Sequence, residues 1–192
     1  MRLTRRHIAI GTVLGLILFS SGTAALAGAP SPGNPWAEIL LPTPADASLR
    51  QYLGLPDSEH FTVNQIAAEI VIVQVYSMYC PHCQREAPQV NELYALITAQ
   101  AGLHRRLRLI GVGIGNSEYE VDFYRETYGV KFPLFPDGKF IIHKQLGETR
   151  TPHFFVLKPG KAGQVEVVYD LEGGFASPEK FLETVRKHLQ GK

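Results

Sequence analysis

Two cysteines, Cys80 and Cys83, are separated by Pro81 and His82, and they are the only cysteines among the 192 residues. A disulfide between them would restrict the unfolded chain by about 2 kcal/mol at most in the loop-entropy model, so it would be a poor structural staple. A structural zinc site needs four ligands, and the chain has no second cysteine pair. Two kinds of chemistry remain open: thiol–disulfide exchange, or binding of a soft metal with the help of a histidine.

The position of the pair favours redox chemistry. Residues 70–76 form a nearly continuous β-branched run, which predicts a strand buried on both faces, and helical periodicity begins at Pro81. A thiolate at the start of a helix faces unpaired backbone N–H groups and the positive end of the helix dipole, which lowers the pKa of the thiol. We therefore expect Cys80 to be the exposed nucleophile and Cys83, one turn later, to resolve a mixed disulfide. His82 is expected to donate a hydrogen bond to Cys80 or to place positive charge beside it.

Strands and helices alternate along the rest of the chain. Residues 107–112 predict a second buried strand, and residues 153–157 and 165–169 predict a hairpin around a Pro-Gly turn. Pro88 is expected to kink the first long helix or to split it in two. This alternation predicts an α/β fold with a mixed central sheet flanked by helices and the hairpin as its antiparallel edge. The predicted helices cover residues 81–101, 118–128 and 140–146 and a last segment that begins after Ser177.

The first 27 residues have the pattern of a secretory signal peptide. Three arginines precede an apolar run at residues 8–19, and an Ala-x-Ala cleavage pattern follows at residues 25–27. Removal predicts a mature protein in the periplasm or otherwise outside the cytoplasm. Retention would leave a membrane anchor, because the uncharged stretch is long enough to span a bilayer of about 30 Å. Residues 28–55, rich in Pro and Ala, predict a linker or extended arm, and residues 56–192 predict a single domain.

Composition and charge exclude several classes of protein. Hydrophobic residues make up 45% of the chain and charged residues 19%, which excludes disorder over most of its length. The net charge is +1, and without the three arginines of the first segment 16 basic residues stand against 18 acidic ones. A nearly neutral chain gives no electrostatic basis for a nucleic-acid partner. We expect a monomer that binds no nucleic acid.

Three segments carry a resemblance to a known family. Residues 73–83, Val-Gln-Val-Tyr-Ser-Met-Tyr-Cys-Pro-His-Cys, look like the active-site strand and helix of the thioredoxin superfamily. Thr151-Pro152, directly before a strand, resembles the cis-proline site of that family, and residues 173–175 resemble its closing glycine segment. The stretch 128–137 is similar to exported TlpA/ResA-like and peroxiredoxin-like members. The Pro-His dipeptide is instead that of the DsbA type. The resemblance covers roughly residues 61–189.

The resemblance implies a thioredoxin-like fold and disulfide exchange with cysteine-containing client proteins. It implies a redox-active disulfide between Cys80 and Cys83 in place of a bound cofactor or metal, and a membrane electron-transfer or quinone-linked redox partner. Thr151 and Pro152 are expected to bind substrate, together with Tyr79 beside the dithiol. Whether the protein oxidises or reduces its clients stays open. His82 and an oxidising compartment favour an oxidant, whereas the TlpA/ResA resemblance favours a reductant.

One position departs from the pattern of the family. Thioredoxins and the DsbA type carry a buried Asp or Glu six residues before the first cysteine, and here that proton-shuttle position is Gln74. Glutamine cannot accept a proton as a carboxylate does. Deprotonation of Cys83 must therefore use water or another group, for which His153 is a candidate.

Two alternative functions remain. A thiol peroxidase of the pattern P-x-x-x-[ST]-x-x-C would use Ser77 and Cys80, but Val73 stands where that pattern needs proline. A copper-binding or metallochaperone module would use both cysteines and a histidine, since thiolates and imidazole suit soft copper. Peroxide consumption would distinguish the first, and copper retained through gel filtration the second.

Overall fold

The computed structural model of the protein describes residues 29–190, so the predicted signal peptide or anchor lies outside the described residues. In this part of the chain no helix is long and apolar enough to cross a membrane. The strands are β1 (Leu41–Pro42), β2 (His60–Phe61), β3 (Ile70–Tyr76), β4 (Leu107–Ile114), β5 (Leu134–Asp137), β6 (His153–Pro159) and β7 (Val165–Glu172). The helices are α1 (Ala47–Leu53), α2 (Pro81–Thr98), α3 (Ala101–Arg106), α4 (Glu118–Tyr128), α5 (Ile141–Gln145) and α6 (Pro178–Gln190).

Five strands form one mixed sheet in the order β5-β4-β3-β6-β7. β3, β4 and β5 run parallel, and the hairpin of β6 and β7 is antiparallel to them. Every residue of the central strand β3 is buried, as a strand covered on both faces requires. The predicted α/β fold, with a mixed sheet flanked by helices, is confirmed.

The two faces of the sheet pack against different parts of the chain. One face carries Ile72 and Tyr76 of β3 and packs against α2, α4 and α6. The other face carries Val73 and Val75 and packs against the N-terminal arm, α1 and α5. Because side chains alternate along a strand, Gln74 points to the same face as Ile72 and Tyr76, which is the face that α2 covers.

Helix α2 runs through Pro88 to Thr98, so Pro88 does not split it in two, and a kink at Pro88 stays a prediction. An interior proline costs a helix about 3 kcal/mol or more. Here Pro88 is exposed, while the opposite side of α2 buries Val90, Leu93 and Ile97 in the core of the sheet. Tertiary packing of this face stabilises the helix more than the proline destabilises it.

The segment before residue 56 is packed rather than free. The backbone N–H of Trp36 donates to Val165 of β7 at 2.7 Å, and Trp36, Ile39 and Leu41 are buried. Helix α1 begins after the prolines, with Asp46 accepting a hydrogen bond from the Ser48 N–H. The packed domain therefore includes residues whose composition predicts a linker or extended arm.

Candidate active site

Cys80 caps the N-terminus of α2, and Pro81 occupies the first helical position, where its missing N–H costs nothing. The Cys83 backbone N–H donates to Cys80 Sγ at 3.4 Å, and the Cys80 thiol donates to the Thr151 carbonyl oxygen at 3.3 Å. Cys80 is half-buried, whereas Cys83 is fully buried. The helix start thus exposes one sulfur and hides the other.

The two thiols differ in acidity. Partial burial of Cys80 opposes its ionisation, but hydrogen bonds from the Thr151 side chain, from Cys83 and from the backbone N–H of His82 outweigh it, so its pKa lies below the usual value. Burial, followed by the hydrogen bond with Cys80, raises the pKa of Cys83 to about 12. Cys80 is therefore suited to be the nucleophile, and Cys83 keeps its proton until the first exchange has taken place.

A groove of about 330 Å³ adjoins the dithiol on the side of Pro152. The Thr151–Pro152 peptide bond is cis. Thr151 and Pro152, both expected to bind substrate, line this groove together with His82 and Arg85 of α2. The remaining lining residues are Glu86, Arg150, Glu172, Gly173 and Gly174.

Glu86 is a carboxylate in this groove that sequence reasoning missed. It lies one turn after Cys83 on α2, is 8% exposed, and its Oε1 accepts a hydrogen bond from the Phe175 N–H at 3.0 Å. Burial raises the pKa of this carboxyl, and the hydrogen bond from Phe175 opposes the shift. The signal was present in the spacing, because Cys83, Glu86 and Val90 recur at three and four residues on the face of α2 that packs on the sheet.

His82 contacts Arg85 rather than standing alone at the helix start. The Arg85 guanidinium lies 2.9 Å from His82 Nδ1. A guanidinium only donates hydrogen bonds, so Nδ1 accepts and the proton of the neutral ring is on Nε2. The contribution of His82 to Cys80 that the structure shows is made by its backbone N–H.

Tyr79, also expected to bind substrate, is not among the residues that line this groove. Its side chain is 64% exposed, and its hydroxyl donates to the Glu120 carboxylate of α4. The neighbouring Met78 N–H donates to Oδ1 of the buried Asn116 at 2.9 Å. The loop before Cys80 is therefore attached to the start of α4.

Gln74 and His153 lie on opposite faces of the sheet. Gln74 is 1% exposed on the face that α2 covers, and its Nε2 has no hydrogen-bond partner among the described residues. His153 pairs with Val75 on the other face, stacks on Phe155 with ring centroids 4.3 Å apart, and lies 3.3 Å from Asp170. Since Cys83 belongs to the core on the α2 side, the suggestion that His153 accepts the proton of Cys83 is wrong.

Within residues 29–190, no group of three or more His, Cys, Asp or Glu side chains is arranged to hold a metal ion. The copper-binding alternative therefore has no third ligand placed beside the dithiol in this part of the chain.

A mixed sheet whose central strand β3 leads into a Cys-x-x-Cys pair at the start of α2, with a cis-proline loop beside that pair, defines a thioredoxin-like fold. Residues 46–167 match the model described as the AhpC/TSA family, and the chain belongs to this family. It is 26% identical over 96 residues to the thiol-disulfide oxidoreductase ResA of Geobacillus thermodenitrificans, a match that spans 50% of this chain and 52% of the relative.

Solved structures share the fold. StoA from Bacillus subtilis is 20% identical with a TM-score of 0.54, and the alignment covers 78% of this chain and 98% of StoA. A secreted Mycobacterium tuberculosis disulfide oxidoreductase, homologous to DsbE of E. coli, is 15% identical with a TM-score of 0.54. That alignment covers 78% of this chain and 96% of the other.

Proposed function

We propose that the protein is a thiol–disulfide oxidoreductase that exchanges disulfides with cysteine-containing client proteins outside the cytoplasm. The observation that carries the proposal is the asymmetry of the two thiols. Cys80 is partly exposed with a lowered pKa, whereas the buried Cys83 has a pKa raised to about 12. A nucleophile and a resolving thiol need this difference, because only the thiolate attacks.

In the reducing direction, the Cys80 thiolate attacks one sulfur of a client disulfide, and the other client sulfur leaves as a thiolate. Cys83 then loses its proton and attacks Cys80 Sγ, which releases the second client sulfur and forms the Cys80–Cys83 disulfide. Two electrons and two protons pass to the client, which ends as two thiols. The oxidising direction is the reverse sequence.

The proton of Cys83 needs an acceptor on the α2 side of the sheet. Glu86 is one helical turn away on the same helix, and burial raises the pKa of its carboxyl, which makes it a stronger base than an exposed carboxylate. We assign to Glu86 the role that the family pattern gives to the position of Gln74. Glu86 is also one of the residues that line the groove beside Pro152.

Export of the protein is part of the same proposal. It is supported by the basic start, the apolar run and the Ala-x-Ala pattern of the first 27 residues, and by the fact that one similar structure is described as secreted. N-terminal sequencing of the protein from an expressing bacterium should begin near Gly28, in the periplasmic fraction. An intact Met1 in the membrane fraction would support the anchor, and recovery from the cytoplasm would contradict both.

Trapping the mixed disulfide tests the chemistry. With an excess of a disulfide-linked peptide, Cys83→Ser should accumulate a covalent adduct at Cys80, whereas Cys80→Ser should form none. The reduction potential of the wild-type dithiol then shows whether the protein oxidises or reduces its clients. A value of about −120 mV indicates an oxidase, and about −270 mV or lower indicates a reductase that a membrane redox partner reduces again after each exchange. Peroxide consumption without peptide exchange would instead favour a thiol peroxidase.

A further inference from the structure

The outward side of α4 carries two exposed aromatic residues. Tyr119 and Phe123 are one helical turn apart, and their side chains are 78% and 49% exposed. Val121 and Tyr124, on the opposite side of the helix, are buried in the core of the sheet. An amphipathic surface helix normally presents polar residues to water. Packing of α4 on the sheet therefore does not explain why Tyr119 and Phe123 are exposed on its outward side.

A side-chain hydrogen bond links α4, which carries the two aromatics, to the residue before Cys80. The Tyr79 hydroxyl donates to Glu120, which lies between Tyr119 and Phe123 on α4. Phe140, 46% exposed, covers Gly115, because a Cβ built on Gly115 would lie 2.6 Å from the Phe140 Cζ atom. We call these four residues, Tyr79, Tyr119, Phe123 and Phe140, the aromatic face. It begins one residue before the nucleophile.

Acidic residues outnumber basic ones on the α4 part of the aromatic face, whereas Lys139 adjoins Phe140 in the chain. Helix α4 carries Glu118, Glu120, Asp122 and Glu126 against a single basic residue, Arg125. This charge disfavours an anionic membrane surface. It also disfavours a symmetric dimer through this face, because an isologous contact would bring the same acidic residues together. A segment that carries apolar side chains and positive charge is complementary to it.

We propose that the aromatic face binds the polypeptide segment next to the reacting cysteine of a client, and that it selects segments with large apolar side chains and Lys or Arg. This rests on the proposed disulfide exchange and adds the substrate class. The client sulfur reaches Cys80 while the chain on one side of it crosses Tyr79 and the outer side of α4. The Pro152 groove remains for the chain on the other side.

The test compares exchange rates of three disulfides with the reduced protein. Two are peptide disulfides with phenylalanine and leucine beside the cysteine, one with lysines and one with glutamates, and the third is hydroxyethyl disulfide. Wild type should react faster with the lysine peptide than with the glutamate peptide, and added salt should reduce the difference. Tyr119→Ser/Phe123→Ser should slow the lysine peptide about tenfold, a usual effect of losing buried aromatic contacts.

Controls separate docking from chemistry. The double variant should leave the rate with hydroxyethyl disulfide unchanged, and Leu40→Ser, which removes a 61% exposed apolar residue elsewhere, should change neither rate. The proposal would be overturned if the double variant slowed exchange with the lysine peptide and with hydroxyethyl disulfide equally. It would also be overturned if the double variant did not slow exchange with the lysine peptide. A concentration-dependent dimer in sedimentation that the double variant abolishes would overturn it as well, because the occupant would then be a second copy.

Direct binding keeps this test independent of the redox function. The Cys80→Ser/Cys83→Ser protein should bind a fluorescent lysine peptide in which serine replaces the cysteine, and the aromatic substitutions should weaken that binding about tenfold. If this binding is observed while wild type exchanges none of the disulfides, the proposed function fails and the docking surface stands. If exchange occurs without this difference in binding, the docking proposal fails alone.

Discussion

Cys80 Sγ lies 3.3 Å from the carbonyl oxygen of Thr151, although 71 residues separate them in the chain. This contact joins the start of α2 to the loop that carries the cis-proline. It places a backbone acceptor on one side of the sulfur, while the N–H groups of His82 and Cys83 lie on the other side. The nucleophile is therefore positioned from both directions before any client arrives.

The acidity of Cys80 predicts selective alkylation. At mildly acidic pH, iodoacetamide should label Cys80 in the reduced folded protein and leave Cys83 unmodified, because only Cys80 has a lowered pKa and partial exposure. Peptide mapping by mass spectrometry measures the two sites separately. Labelling in Cys80→Ser should fall to the level of the double cysteine variant, and preferential modification of Cys83 in wild type would reverse the assigned roles.

Glu86→Gln should slow the release of a mixed disulfide and remove the part of its pH dependence that comes from ionisation of the Glu86 carboxyl. The amide still accepts the hydrogen bond from Phe175 but cannot take the proton of Cys83. Stopped-flow exchange with a peptide disulfide over pH 5 to 8 measures the step. The exposed Glu92 on the same helix provides the control: Glu92→Gln should behave as wild type. An unchanged profile in Glu86→Gln would exclude Glu86 as the acceptor.

The stability of the same variant should depend on pH in a defined direction. The folded-state pKa of Glu86 is raised above the ordinary value of 4.5, so the fold favours the neutral carboxyl. Wild type should lose stability relative to Glu86→Gln as pH rises from about 4.5 through the folded-state pKa. Urea unfolding at pH 4 and pH 8 measures this difference. If the stability of wild type relative to the variant increased with rising pH, the direction of the pKa shift would be contradicted.

Local signals predicted much of the site. The β-branched run of β3, the Cys-Pro-His-Cys junction and the bounds of α4 follow from hydrophobic periodicity and from the Ser117 cap. β5 was not predicted: Pro133 precedes it and Pro136 lies within it, and a strand at a sheet edge tolerates proline.

Long-range relations were not predictable in the same way. The spacing of Cys83, Glu86 and Val90 indicates that Glu86 lies on the buried face of α2, but it does not indicate that the N–H of Phe175, 89 positions later, donates to its carboxylate. Tyr79 and Glu120, likewise, are 41 residues apart in the chain. Local sequence patterns do not indicate contacts between residues so far apart in the chain. The order of strands in the sheet brings these residues together.

Gly174→Ala tests how closely the loop of residues 173–175 covers Glu86. A Cβ at Gly174 would lie 2.3 Å from Glu86 Oε2, so the side chain must shift and weaken its hydrogen bond with Phe175. We expect a loss of about 1–3 kcal/mol in urea unfolding. Gly102→Ala, which meets no atom within 4 Å in α3, should be neutral or stabilising by up to about 1 kcal/mol. Removing the carboxylate with Glu86→Ala should reduce the cost of Gly174→Ala, and an undiminished cost would place the clash elsewhere.

Gln74→Glu restores the carboxylate of the family pattern on the face of the sheet that α2 covers. If that carboxylate can take the proton of Cys83, release of a mixed disulfide should become faster. The new carboxyl is buried beside Ile72 and Tyr76, so its pKa rises, and the variant should lose a few kcal/mol of stability where the group ionises unpaired. Because the folded-state pKa is the higher one, this loss should grow as pH rises above about 4.3. Stopped-flow exchange and thermal unfolding, with Gln74→Leu as the control that adds no base, measure both effects. Lower stability with an unchanged release rate would mean that Gln74 is only a packed core residue and that Cys83 loses its proton by another route.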